Sequence, residues 1–116
     1  MQPHHLIVYF SPAGSTRLVA ETIRHRLADH GCVATVIDLG DRRVPVAATL
    51  SHCQHRPCCL WLGTPVYCDH AVPVVSAFVE ALPPRFGGYG VPFVTWGGVT
   101  SGLSLPELAE RMLAKE

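Results

Sequence analysis

Along this chain of 116 residues the apolar positions follow two rhythms that take turns. Leu6 to Phe10, Val33 to Asp38, Cys58 to Leu62 and Val91 to Trp96 are compact runs rich in β-branched and aromatic residues, the composition of strands covered on both faces. Between them the spacing becomes helical. Val19, Ile23 and Leu27 recur at i, i+4 and i+8 and would form one apolar face; Val75, Phe78, Val79 and Leu82 recur after Pro73, and Leu105, Leu108, Met112 and Leu113 after Ser104. The pattern predicts strands over roughly 5–10, 33–38, 58–62 and 91–96, and helices over roughly 15–30, after Pro73 and after Ser104. The punctuation agrees. Gly31 is a natural stop for the first helix, Gly63 ends the third strand, Pro83 and Pro84 end the second helix, and Ser104 with Glu107 makes a capping box for the last. The stretch 39–57 is poorly patterned and predicts one short helix near 46–52.

Strands that alternate with helices imply an α/β fold with a parallel sheet. Ligands in such sheets bind beyond the carboxyl ends of the strands, where strand order reverses. Three of the four strand ends here carry unusual loops. Size allows one domain with a real core, since 48% of the residues are hydrophobic. Nine basic residues balance nine acidic ones, and without a run of like charge nothing suggests nucleic-acid binding or a polybasic membrane anchor. The apolar runs are of strand length, short of the ~20 residues of a membrane helix, and no signal-peptide pattern opens the chain. A cytoplasmic location is the expectation. Five cysteines without C-x-x-C spacing argue against a disulfide framework or a zinc ribbon.

The first loop, Ser11-Pro12-Ala13-Gly14-Ser15-Thr16, joins an apolar strand to a helix N-terminus. Such an end offers unpaired N–H groups and a positive dipole to an anion, and Ser11, Ser15 and Thr16 would add neutral donors. No Lys follows Gly14 and neither GxxxxGK[ST] nor GxGxxG is present, so the pattern suits a terminal phosphate monoester rather than a nucleoside triphosphate. Asp38 lies near the spacing of a ribose-binding acid, which is a weak signal without GxGxxG. The second loop runs from Gly63-Thr64-Pro65-Val66-Tyr67 to Pro73, and the third is Thr95-Trp96-Gly97-Gly98 with Gly102 beyond it. Singly, each has a plain structural explanation: an N-cap, a strand-ending turn, a core aromatic before a glycine turn. Their placement at three strand ends of one sheet is what points to a ligand. The cluster His52, Cys53, His55, Cys58 and Cys59 is a poor metal site, because Cys58 and Cys59 are strand neighbours that point to opposite faces.

Together the Ser/Thr-rich first loop, the Gly-Thr-Pro-Val-Tyr segment and the Thr-Trp-Gly-Gly turn resemble the flavodoxin superfamily, most nearly the flavodoxin-like domains of ferredoxin–flavodoxin fusion proteins. The resemblance spans nearly the whole chain. It implies a three-layer α/β sandwich with parallel strand order 2-1-3-4, one domain over residues 1–116, and FMN as cofactor. The phosphate would sit on Ser11, Ala13, Gly14, Ser15 and Thr16. Thr64, Pro65, Val66 and Tyr67 would line one side of the isoalloxazine, and Thr95, Trp96, Gly97, Gly98 and Gly102 the other. An aromatic at Tyr67 or Trp96 could stack on the ring, and glycines admit close backbone approach to its edges.

Three features depart from the family pattern. Tyr67-Cys68-Asp69 replaces a Tyr-x-Gly whose glycine peptide can flip beside flavin N5. The net charge of zero contrasts with the acidity of many electron-carrier flavodoxins. The usual fifth strand and last helix are missing, which implies a C-terminally truncated or shortened domain whose fourth strand exposes an edge that a second copy could pair. The resemblance implies an FMN-binding electron-transfer protein without acid, base or nucleophile of its own, serving a redox partner such as a ferredoxin-type iron–sulfur module. Two alternatives stand beside it: an NAD(P)H-dependent FMN or quinone reductase, and a degenerate interaction module without cofactor. A response-regulator receiver is excluded, since its acidic residues are replaced by Phe10-Ser11 and Gly63-Thr64.

Overall fold

The computed structural model describes residues 4–12, 14–41, 58–67, 70–71, 73–80, 82, 89–95 and 104–114. In chain order the elements are β1 (His4–Tyr9), α1 (Ser15–Asp29), β2 (Ala34–Asp38), β3 (Cys58–Tyr67), β4 (His70–Ala71), α2 (Pro73–Glu80), β5 (Tyr89–Thr95) and α3 (Ser104–Leu113). β1 pairs parallel with both β2 and β3, and β3 pairs parallel with β5. The parallel sheet therefore runs β2-β1-β3-β5, the order 2-1-3-4 expected for the four long strands. β4 is an addition that pairs antiparallel with the last residues of β3, Val66 with Ala71 and Tyr67 with His70. The expected helix near 46–52 lies outside the described residues.

The two faces of the sheet are covered unequally. Leu6, Val8, Ile37, Leu60 and Leu62 from the strands meet Val75, Phe78, Val79 and Leu82 from α2 and just beyond it, and Leu108 from α3. On the opposite face α1 alone packs among the described elements, with Ile7, Tyr9 and Ala20 buried and Ile23, Leu27, Ala34, Val36, Trp61 and Phe93 half-buried around them. α1 differs from its expected apolar face. Its inner line is Thr16, Ala20, Ile23 and Leu27, while Val19 turns outward, because small residues at 16 and 20 let the helix lie close over β1 and β3. In α3, likewise, Leu108 and Met112 pack inward whereas Leu105 and Leu113 are exposed. Met112 rests on Gly90 of β5, where a Cβ would come within 2.7 Å of its methyl group.

α1 ends as Gly31 predicts. Gly31 has φ +76°, its N–H donates to Ala28 and the N–H of Cys32 donates to Leu27, the paired bonds of a Schellman cap. β3 does not end at Gly63 as expected. It continues to Tyr67 with Gly63, Thr64 and Pro65 in register with Phe93, Val94 and Thr95. Gly63 is there for clearance rather than a turn, since a Cβ would meet the Phe93 ring at 2.3 Å. The ladder also explains two strand prolines. Phe10 N–H donates to Gly63 O, so by alternation Leu62 and Thr64 face β5, while Pro65 faces the side where β1 has already ended. Pro92 pairs in register with Leu62, which turns its ring nitrogen to the outer flank of β5. Neither costs a ladder bond, and no described strand lies along that flank.

Candidate functional site

The carboxyl ends of β1, β3 and β5 converge on the N-terminus of α1. Gly14 caps that helix with φ +97° and ψ −18°, a left-handed conformation that glycine adopts without the Cβ penalty. The Ser11 hydroxyl oxygen accepts from the N–H of Gly14 at 3.1 Å and of Arg17 at 2.9 Å. Leu18 N–H makes the first helical bond, to Gly14 O. The N–H groups of Ser15 and Thr16 then have no acceptor among the described residues, and Thr16 is only 1% exposed, so water serves its N–H poorly. An anion at this end would answer both.

The donor set fits a phosphate monoester. It consists of backbone N–H groups and the exposed Ser15, with no acidic residue in the first turn and open space around the Gly14 α-carbon. The three hydroxyls expected to line the cradle nonetheless have three different jobs. Ser11 ties the loop to the helix, Ser15 lies at the surface, and Thr16 turns inward to share a hydrogen bond of 2.8 Å with the Thr95 hydroxyl at the end of β5. Thr64 is fully buried, and its hydroxyl donates to Pro65 O at 2.8 Å. Thr16 and Thr64 thus support the loops from beneath. Pro65 stands beside Thr95 in register, and Val66 and Tyr67 enter the short hairpin with β4. Ala13, Trp96, Gly97, Gly98 and Gly102 lie outside the described residues, as do the side chains of Val66 and Tyr67.

One residue near the cradle escaped the motif reading. Arg17 occupies the first turn of α1, where a positive charge is disfavoured by the helix dipole unless an anion is near; that misplacement is the signal it carries. Beneath it Tyr9, 4% exposed, has its phenol pushed above the ordinary 10.0, chiefly by burial and then by the negative charge of Asp38, with Arg17 opposing and Glu21 adding to the rise. The Asp38 carboxylate accepts the N–H of Gly40 at 2.8 Å, which shapes the turn after β2. The described residues hold no metal-type cluster of His, Cys, Asp and Glu and no helix long and apolar enough to cross a membrane.

No protein-family model and no curated protein matches the sequence. Solved structures do. A flavodoxin from the domain Archaea superposes with a TM-score of 0.75 at 21% identity, over 95% of this chain and 73% of that one. An NADH:FMN oxidoreductase in its apo form gives 0.79 at 19% identity, over 98% and 70%. A flavoprotein from Lactobacillus acidophilus, in complex with FMN, gives 0.67 at 15%, over 96% and 87%. The chain has the flavodoxin-like α/β fold, and the N-terminus of α1 stands beside the carboxyl ends of its parallel strands.

Proposed function

We propose that this chain binds FMN and serves as an electron-transfer protein or domain. The observation that carries the reading is the α1 N-terminus: two N–H groups without a described acceptor, in a loop braced by Ser11 and free of carboxylates. Gly14, Ser15 and Thr16, with Ser11 and Ala13, would hold the phosphate. Pro65, Val66 and Tyr67 on one side, braced from beneath by Thr64, and Thr95, Trp96, Gly97, Gly98 and Gly102 on the other would confine the ring. FMN, when bound, supplies one- or two-electron redox chemistry. The chain's part is to neutralise the phosphate with oriented dipoles, keep the ring at the mouth of the sheet and shield one face from water. No side chain need act as acid, base or nucleophile.

The likeness to an NADH:FMN oxidoreductase fold supports a flavin reductase as the second reading, separated from the first by steady NAD(P)H oxidation with a quinone. The partner would be a redox protein, such as an iron–sulfur module, in the cytoplasm, where Cys32 and Cys59 stay thiols. A second copy paired along the outer flank of β5 is a further partner reading, which sedimentation of the pure protein decides. The test of the main reading is quenching of FMN fluorescence by the folded protein, with riboflavin as the control that lacks phosphate. Saturable quenching by FMN at concentrations where riboflavin is untouched is expected. A folded protein that binds neither sinks the reading and favours an interaction module without cofactor.

A further inference from the structure

We infer that Thr16 and Thr95 form a positioning latch that sets the phosphate cradle and the carboxyl end of β5 at a fixed separation. The two hydroxyls meet at 2.8 Å across 79 positions of sequence. Thr16 is the second residue of α1 and almost wholly buried, so its backbone belongs to the cradle while its side chain belongs to the sheet. Thr95 is the last residue of β5, directly before Trp96-Gly97-Gly98. Elsewhere α1 is held to the sheet by apolar contacts through Ala20, Ile23 and Leu27, which are non-directional and tolerate sliding. The hydroxyl pair is directional and sits at the ligand end, where it fixes the tilt of the first turn against the strand tip.

A ligand that touches only one loop is indifferent to this separation. One that spans both, with a phosphate at one end and a flat ring at the other, is not. The latch rests in this respect on the FMN reading, but its mechanical part does not. Leaving one buried hydroxyl without its partner costs more than replacing both by apolar groups of the same shape. The structure therefore assigns a non-additive signature: Thr95→Val and Thr16→Val each disturb the first turn, the double variant disturbs it less than the sum, and Thr95→Ser restores it.

The first measurement is amide hydrogen exchange of the ligand-free protein. Thr95→Val is expected to speed exchange in the segment 14–18 by about tenfold, with Thr95→Ser close to the parent; unchanged exchange in that segment for Thr95→Val overturns the latch whatever becomes of FMN. The second is affinity. Thr95→Val is expected to weaken FMN by about tenfold and to change the visible circular dichroism of the bound flavin, while Thr95→Ser rescues both. FMN affinity and dichroism that stay at parental values in Thr95→Val reject the positioning role. A parent that exchanges as expected yet binds no FMN leaves the latch standing and removes the proposed function instead.

Discussion

The two faces of the sheet divide the work of the molecule. Beneath α2 and α3 the strands contribute Leu6, Val8, Ile37, Leu60 and Leu62 to a core in which every one of them is nearly inaccessible. Beneath α1 the equivalent strand positions are Ile7 and Tyr9, buried, and Val36, Trp61 and Phe93, which keep part of their surface in water. Burial is worth about 25 cal/mol per Å² of apolar surface, so the α2/α3 face carries most of the stabilisation per residue. The α1 face carries the groups that respond to their surroundings: the cradle, the Thr16–Thr95 pair, the Tyr9 phenol and the half-covered aromatics. Stability and responsiveness are thus separated by the thickness of one sheet.

The sharpest way to break this contrast is a pair of truncations at strand positions of opposite face. Leu62→Ala should cost about 2–5 kcal/mol, the range for emptying a packed core site, and Val36→Ala about 1 kcal/mol or less, since the lost methyl groups were already partly wetted. Denaturant unfolding of both variants checks it, and equal losses would show that the faces bear equal loads. A smaller effect is expected within the α1 face, where Gly63 and Phe93 stand in register. Gly63→Ala forces the Phe93 ring away from its seat on the strand and should cost about 1–3 kcal/mol, relieved when Phe93→Leu is added. A Gly63→Ala protein of parental stability would mean that the ring has room to swing outward at no cost.

The smallest effect is on pH dependence, and among the described residues the shifted groups lie on the α1 side. Burial raises the Cys59 thiol above 9.0, and burial with Asp38 raises the Tyr9 phenol above 10.0. By strand alternation both point to the α1 face. Each group releases its proton later in the folded than in the unfolded chain. Their contribution is whole below the unfolded values and is lost as pH rises through the folded ones, because above 9.0 and then 10.0 the unfolded chain ionises first. Stability followed from neutral pH to about pH 11 should fall in that window, with Tyr9→Phe flattening the later part and Cys59→Ala the earlier. A slope that neither variant changes would assign alkaline sensitivity to other groups.

Much of the fold was legible because the strands are apolar runs and Gly31 terminates its helix in the way its position demands. The order of the long parallel strands came from the resemblance rather than from any single residue. What the sequence concealed were features decided across the sheet. Gly63 reads as a turn in isolation, yet it is a flat spot for the ring of Phe93, thirty positions away. β3 and β4 pair as neighbours in sequence, Tyr67 with His70, although the Cys-Asp that stands between them in the sequence lacks the Asn-Gly or Asp-Gly signature of a hairpin. The i, i+4, i+8 pattern of Val19, Ile23 and Leu27 is a sound helical stripe, but close approach to β1 rewarded Thr16 and Ala20 instead. The candidate site was legible as loop chemistry and not as division of labour. Hydroxyl type alone does not say that Ser11 braces the loop, that Ser15 faces water and that Thr16 reaches Thr95.

Pro92 has a consequence for life in a crowded solution. An open strand flank is ordinarily a template on which other chains can crystallise one hydrogen bond at a time. With its ring nitrogen aimed outward, Pro92 interrupts the row of donors between Gly90 and Val94, so a passing strand finds a break in the middle of the track. Among the described residues no strand covers that flank, and the break at Pro92 holds any pairing there to a short register rather than an endless one, so Pro92→Val would lengthen the template.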